Sequence, residues 1–232
     1  MQTIDVPAKR SPRAVEALNA GLVALQGVLR LPGLESALDE GNVPDALYEG
    51  LEAWWESYST YLSVVSESVS TRCTTGCAAC CHQNPRGLSG LEVLLVLRAL
   101  RQHADWDEVK SALRVEAAAW HEQLSTSNTQ DEVMAKTRRA AVRCPILDDR
   151  MRCRVYASRP VACRMFYAVT DPDWCDATHP KHADAVNPHF EPAQVLRQIL
   201  LAISHRLGLE ALPKDLWSAV SVLDERLPSG TL

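Results

Sequence analysis

Over most of the chain apolar residues return every three or four positions, the spacing that puts them on one face of a helix. Ala14, Leu18, Leu22, Leu25 and Leu29 make one such stripe, and Leu47, Leu51, Trp54, Tyr58, Tyr61 and Val65 make a second. Two packed helices are expected there, the second opening near Pro44 and Asp45, with Trp54 and Trp55 as helix core and rim. Ser89 followed by Glu92 has the form of a capping box. It opens a stretch, Leu91 to Leu100, that is apolar on nearly every side and is expected to be a buried central helix. Trp106, Val109, Leu113, Trp120 and Leu124 mark the next helix, and a polar break from Ser125 to Asn128 separates it from a shorter one ending near Val142.

From Cys144 to about Pro188 the period is lost and prolines, aspartates and histidines crowd in. Loops, short turns and one small hairpin are expected. Two last helices follow, carried by Val195, Ile199, Ile203 and Leu207 and then by Leu216, Val220 and Leu223, the second opened by Pro213. No internal repeat is visible, so a solenoid is not indicated. The pattern predicts a mainly α fold, a helical scaffold bearing a loop-rich, cysteine-containing subdomain. Residues 1–70 hold the N-terminal helices, 71–190 the cysteine region with inserted helices, and 191–232 a C-terminal helical pair, all within one compact unit.

Composition narrows the class. The chain has 232 residues, 47% of them hydrophobic, enough to bury a core. A net charge of -5 is the wrong sign for neutralising phosphates, so nucleic acid is not an expected partner. The N-terminus lacks the basic start and apolar run of a secretory signal, and no stretch approaches a membrane span. The cytoplasm is the expected compartment, with reduced thiols rather than disulfides.

The chemistry lies in the cysteines. Four of the eight fall within nine residues, Cys73, Cys77, Cys80 and Cys81, and the others follow singly at Cys144, Cys153, Cys163 and Cys175. Thiolates at such gaps can reach one soft ion or cluster from a single turn of chain, and distant ones can close the shell after folding. In a helix Cys81 would project about 100° away from Cys80, so the two are not expected to serve one small ion equally. Eight thiols can build two tetrahedral zinc sites, or one four-cysteine iron-sulfur cluster with four thiols left over. Arg72, Arg143, Arg152, Arg154, Arg159 and Arg164 lie near cysteines in an otherwise acidic chain, where cations lower thiol pKa values and offset thiolate charge.

Other readings of the spacing fit less well. Cys73-x3-Cys77-x2-Cys80 is the pattern that holds the cluster of radical S-adenosylmethionine enzymes, but their barrel needs alternating strands, and Ala79 stands where they carry an aromatic residue. A c-type haem site would need cysteine at Ala78. His82, His179, His182 and His189 are available as nitrogen donors, though the thiols already suffice. His103, His121 and His205 lie on expected helices and need no special role.

Taken together, Cys73-x3-Cys77-x2-Cys80-Cys81-His82, then Arg143-Cys144-Pro-Ile-Leu-Asp-Asp, then Cys153-Arg-Val-Tyr156-Ala-Ser-Arg159-Pro160-Val-Ala-Cys163-Arg164, resemble the CxxCxxCC cysteine-cluster family, also called YkgJ-like, of zinc- or iron-chelating proteins. The resemblance runs from about residue 70 to 176. It implies that Cys73, Cys77, Cys80, Cys81, Cys144, Cys153 and Cys163 belong to the cluster motif, and that Cys175 matches a cysteine found in part of the family. Arg159 and Arg164 are its arginines. With Tyr156 and His82 they are expected beside the metal, contacting its ligands rather than the ion.

The leading expectation is a metal-binding protein holding an iron-sulfur cluster, such as 4Fe-4S, or zinc, with iron-sulfur favoured by the close thiol spacing and the arginines. An equally weighted structural role is a metal staple folding the loops onto the helices. A related cysteine-cluster region occurs in flagellin lysine N-methylases, so the resemblance also implies an iron-sulfur enzyme acting on a peptide or protein partner. No G-x-G-x-x-G loop accompanies it. A metal carrier or redox sensor is the third class, and it requires exposed thiols of low pKa.

Overall fold

The computed structural model describes residues 2–34, 38, 40–74, 76–81, 84–127, 132, 142–164, 167–176, 179–188 and 191–227. Helix α1 (Pro12–Leu29) starts where Ser11 accepts a hydrogen bond from the Ala14 N–H and Pro12 presets the first turn. Helix α2 (Asp45–Glu67) begins after Pro44, as the sequence predicts. The two pack along most of their length. The buried face of α1 differs from the expected stripe: Ala14, Ala17, Gly21, Leu25 and Val28 are inside, while Leu18, Leu22 and Leu29 are only partly covered. Small residues let the helices approach. A Cβ on Gly50 would fall 2.5 Å from Val28 Cγ2, and one on Gly21 would fall 3.1 Å from Trp54.

The buried face of α2 is aromatic. Trp54 stacks on Tyr58 at 5.7 Å and Tyr58 on Tyr61 at 6.0 Å, within the range of favourable ring pairs. Trp55, expected at the rim, is buried as well, because the cysteine region folds over that side of the helix.

Helix α3 (Gly90–Arg101) is the buried centre that its apolar run predicts, opened by the complete Ser89–Glu92 capping box. It packs against α5 (Glu191–Arg206) and α6 (Leu216–Arg226), and α6 packs in turn on α4 (Trp106–Ser125). Trp120 and Trp217 meet edge to face at 6.3 Å there. Asp215 caps α6 through the Ser218 N–H at 3.0 Å, so Pro213 lies before the cap rather than on it. The helix expected up to Val142 falls on residues outside those described.

Two three-residue strands absent from the sequence expectation, β1 (Gln2–Ile4) and β2 (Val186–Pro188), pair in parallel with Gln2 opposite Val186. Buried side chains from residue 6 to residue 227 form one continuous core. Among the described residues no helix is long and apolar enough to cross a membrane.

Candidate metal centre

The first cysteine loop is fixed mainly by backbone contacts. The Arg72 N–H donates to Ala168 O at 2.7 Å, and the Ala168 N–H donates to Cys73 Sγ at 3.2 Å, so Cys73 is clamped to the segment after Arg164. Gly76 takes a left-handed turn with φ of 86°, a conformation that glycine adopts without strain. The Cys77 N–H closes onto Thr74 O at 3.0 Å. Ala79–Cys81 then forms one 3-10 turn, and Cys81 O accepts from the Cys144 N–H at 2.9 Å.

The expected hairpin lies between Cys144 and Cys153, reduced to a single antiparallel bridge between Leu147 and Cys153. Asp148 is its hub. One carboxylate oxygen accepts from the Arg150 and Arg152 N–H groups at 2.9 and 2.8 Å, and the other meets the Arg152 guanidinium at 2.8 Å. These contacts, led by the Arg152 N–H, hold the Asp148 carboxyl down to about 2. Arg143 donates to Leu147 O and Asp148 O. Arg154 donates to Leu147 O and anchors the loop to the start of α4 through Asp105 at 2.6 Å.

Cys163 follows Pro160, whose carbonyl accepts from the Cys163 and Arg164 N–H groups. This turn is tied to the helical core because the Val161 N–H donates to Glu92 Oε1 at 2.8 Å. Cys175 closes the 3-10 turn Pro172–Cys175, which Asp171 caps and which packs against the Ala79–Cys81 turn.

These ties bring all eight thiols into one region. Cys144 and Cys175 are buried; Cys77, Cys80, Cys81, Cys153 and Cys163 are half-buried; Cys73 is exposed as a residue, though its sulfur faces Ala168. Burial, then the neighbouring Cys80, Cys73 and Cys77, pushes the Cys175 thiol up to about 12. Burial and the nearby Cys153 and Cys80 push Cys144 up to about 11. Burial raises Cys163 too, with Cys144 and Cys153 as its thiol neighbours, and it raises Cys153 and Cys73. Cys80 and Cys81 share a hydrogen bond that lowers Cys80 and raises Cys81. Within that pair the proton is held preferentially by Cys81. Burial favours the protonated form of the buried thiols, so metal uptake would release protons.

The arginines divide by role. Arg143, Arg152 and Arg154 hold the loop through the contacts above. Arg159 faces the thiols, lowering Cys80 and opposing the rise of Cys73, Cys153 and Cys163. Its guanidinium lies 3.7 Å over the Tyr156 ring, and Tyr156 is 64% exposed. Arg164 is buried, donating to Ser59 Oγ at 2.8 Å, Arg159 O at 2.9 Å and Ala157 O. Burial and then repulsion by Arg159 pull its pKa down to about 10.

The histidines have other partners. His182 Nδ1 lies 3.0 Å from Trp174 O, and His179 Nδ1 accepts from the Lys181 N–H at 3.1 Å. His82 and His189 fall outside the described residues. Sequence reasoning missed Asp148, Asp105 and the reach of Glu92 to Val161. The capping box signalled Glu92, and the Asp-Asp after Leu147 marked the turn, but no local signal named their tertiary partners.

The donor set suits a soft ion or cluster, since thiols converge here. Among the described residues no three Cys, His, Asp or Glu side chains stand together at the spacing of one bound ion. The family model of CxxCxxCC, "Putative zinc- or iron-chelating domain", matches residues 72–184. No curated protein and no solved structure matches the chain. The matched span takes in all eight cysteines and both arginines of the site, so it is over residues 72–184 that the chain is similar to the CxxCxxCC family.

Proposed function

We propose that the clustered cysteines hold an iron-sulfur cluster in preference to zinc. The observation that carries this reading is the gathering of the thiols in one region beside Arg159, with Cys144, Cys153 and Cys80 close to Cys163 and Cys80, Cys73 and Cys77 close to Cys175. Thiols so gathered from one short loop and its neighbours can serve a single compact cluster. Arg159 and Arg164 supply positive charge where a thiolate-bound centre would be anionic.

Metal and acid-labile sulfide analysis of protein purified without oxygen, with a visible spectrum, tests the proposal. Matched iron and sulfide with broad visible absorption is the expected result. Colourless protein with zinc alone would replace the cluster with a structural zinc site.

A second reading, an iron-sulfur enzyme acting on a peptide or protein, is favoured by one feature. A groove of about 630 Å³ runs between α2 and residues 156–159, and is lined by Trp55, Leu62, Leu95, Tyr156 and Arg159. Arg159 thus borders both the thiols and a space able to take a side chain. The carrier reading calls for exposed, low-pKa thiols, and the burial of Cys144 and Cys175 weighs against it.

A further inference from the structure

We propose that the groove between α2 and residues 156–159 binds an extended peptide segment through an acidic side chain, which Arg159 receives with Arg164 behind it. This rests on the reading of a peptide or protein partner above and adds the shape and charge that select it. The length of the groove comes from α2, which lines it from Glu52 to Ser66, about 21 Å at 1.5 Å per residue. An extended chain covers that distance in about six residues. A small acid would occupy only part of it.

The two guanidiniums are cations without an anion. Arg164 is 7% exposed, donates to Ser59 Oγ, Arg159 O and Ala157 O, and lies 5.2 Å over the Trp55 ring. Arg159 donates from Nε alone, to Tyr156 O at 3.3 Å. Both line the groove, and among the described residues neither bonds a carboxylate or a sulfur. Buried charges are ordinarily paired, because removing one from water is costly. The terminal nitrogens of Arg159 are left over, and the planar guanidinium fork matches the two oxygens of a carboxylate.

The acidic residues of the groove do not fill that place. Glu52 pairs with Arg98 at 3.5 Å, and Glu56 stands one turn of α2 before Ser59. Negative charge therefore lies upstream along the helix and positive charge at the level of Ser59. Trp55, Leu62 and Leu95 offer apolar surface to the neighbours of the bound acid. Tyr156, 64% exposed, and the arginines belong to the residue types that carry most of the binding energy at protein interfaces.

Fluorescence polarisation with capped hexapeptides and the full chain, metal-loaded and metal-free, tests this. The probes carry one central Glu among leucines and alanines, and matched sets replace it with Gln or Lys. The Glu peptides should bind, and their Gln counterparts should be weaker by about 10- to 100-fold, as for loss of a hydrogen bond to a charged group. Arg159→Gln should erase that difference; if this variant fails to load metal, the metal-free comparison still reads it. Ser63→Trp fills the groove from an exposed position on α2 and should block all the peptides with metal content unchanged. Equal binding of Glu and Gln peptides, or a preference for Lys, overturns the acidic anchor and leaves a peptide partner standing. Propionate bound as tightly as the Glu peptide marks a site for small acids and overturns the peptide. Failure of every peptide to bind either form overturns this proposal and the peptide-acting reading together, while iron and sulfide analysis judges the cluster independently.

Discussion

Glu92 joins the helical core to the cysteine loops, and replacing it with glutamine isolates that joint. Its side chain is buried at the start of α3, with Oε2 accepting from the Ser89 N–H at 2.7 Å and the Ser89 hydroxyl at 2.6 Å, and Oε1 accepting from the Val161 N–H at 2.8 Å. Glutamine offers one acceptor oxygen and one NH2. If the oxygen stays with Ser89, the NH2 faces the Val161 N–H and two donors meet. A hydrogen bond to a charged group contributes about 1.5–3 kcal/mol, and a buried donor left without an acceptor costs about 1–3 kcal/mol. These overlap, so Glu92→Gln should destabilise by about 2–4 kcal/mol. For a chain of this length that is a fall in Tm of about 5–15 °C. Ser89→Ala disturbs only the cap and should cost about 1 kcal/mol. The assay is urea unfolding of reduced, metal-free protein, followed by tryptophan fluorescence and circular dichroism. If Glu92→Gln lies within about 0.5 kcal/mol of Ser89→Ala, the contact with Val161 contributes nothing and the joint is not one.

Four other expectations can be checked on the same protein. Gly90→Ala places a Cβ 2.4 Å from Leu209 Cβ and should cost about 1–3 kcal/mol by overpacking, whereas Gly27→Ala, with nothing within 4 Å, should gain about 0.5–1 kcal/mol of helix stability; thermal melts separate the two. Asp148→Asn should destabilise at pH 7. Because the folded carboxyl is held at about 2 against an ordinary 3.8, the wild-type advantage is full above 3.8 and is lost as pH falls through about 2, so urea titrations across that window should converge. Asp224→Ala leaves Arg101 and Lys110 without the buried carboxylate they share; a loss of about 3–5 kcal/mol is expected in equilibrium unfolding. Chelation of the loaded protein should leave far-ultraviolet helicity nearly unchanged while exposing the cysteine loops to protease.

The helices could be read from the sequence because large apolar residues recur at their period and because Ser89 and Glu92 mark a start. The buried face of α1 could not, since Ala17 and Gly21 carry little hydrophobic signal and are inside only because α2 comes so close. Strands of three residues from distant parts of the chain, Gln2–Ile4 and Val186–Pro188, present no alternating pattern long enough to read. At the site, sequence spacing identified the thiols as a group. The approach of Cys175 to the first loop could not be read, because it comes through the packing of one turn on another. Six arginines near cysteines looked equivalent in sequence; carboxylates at Asp105 and Asp148 engage Arg154 and Arg152 and leave Arg159 facing the sulfurs.

That division bears on whether the metal is a staple. A staple is needed where loops have no other attachment, as in small domains that unfold without their ion. Here three of the segments around the cysteines have their own ties to the rest of the fold. The Pro160 turn hangs from Glu92, the hairpin hangs from Asp105, and the exit from the first cysteine loop is joined to α6 by Asn84 donating to Asp215 at 2.7 Å. Protein contacts therefore help to gather the thiols, and burial raises the pKa values of Cys144 and Cys163. The proposed centre is expected to lose its metal without collapse of the helical scaffold, and, because thiols must release protons to bind, its occupancy should fall as pH falls.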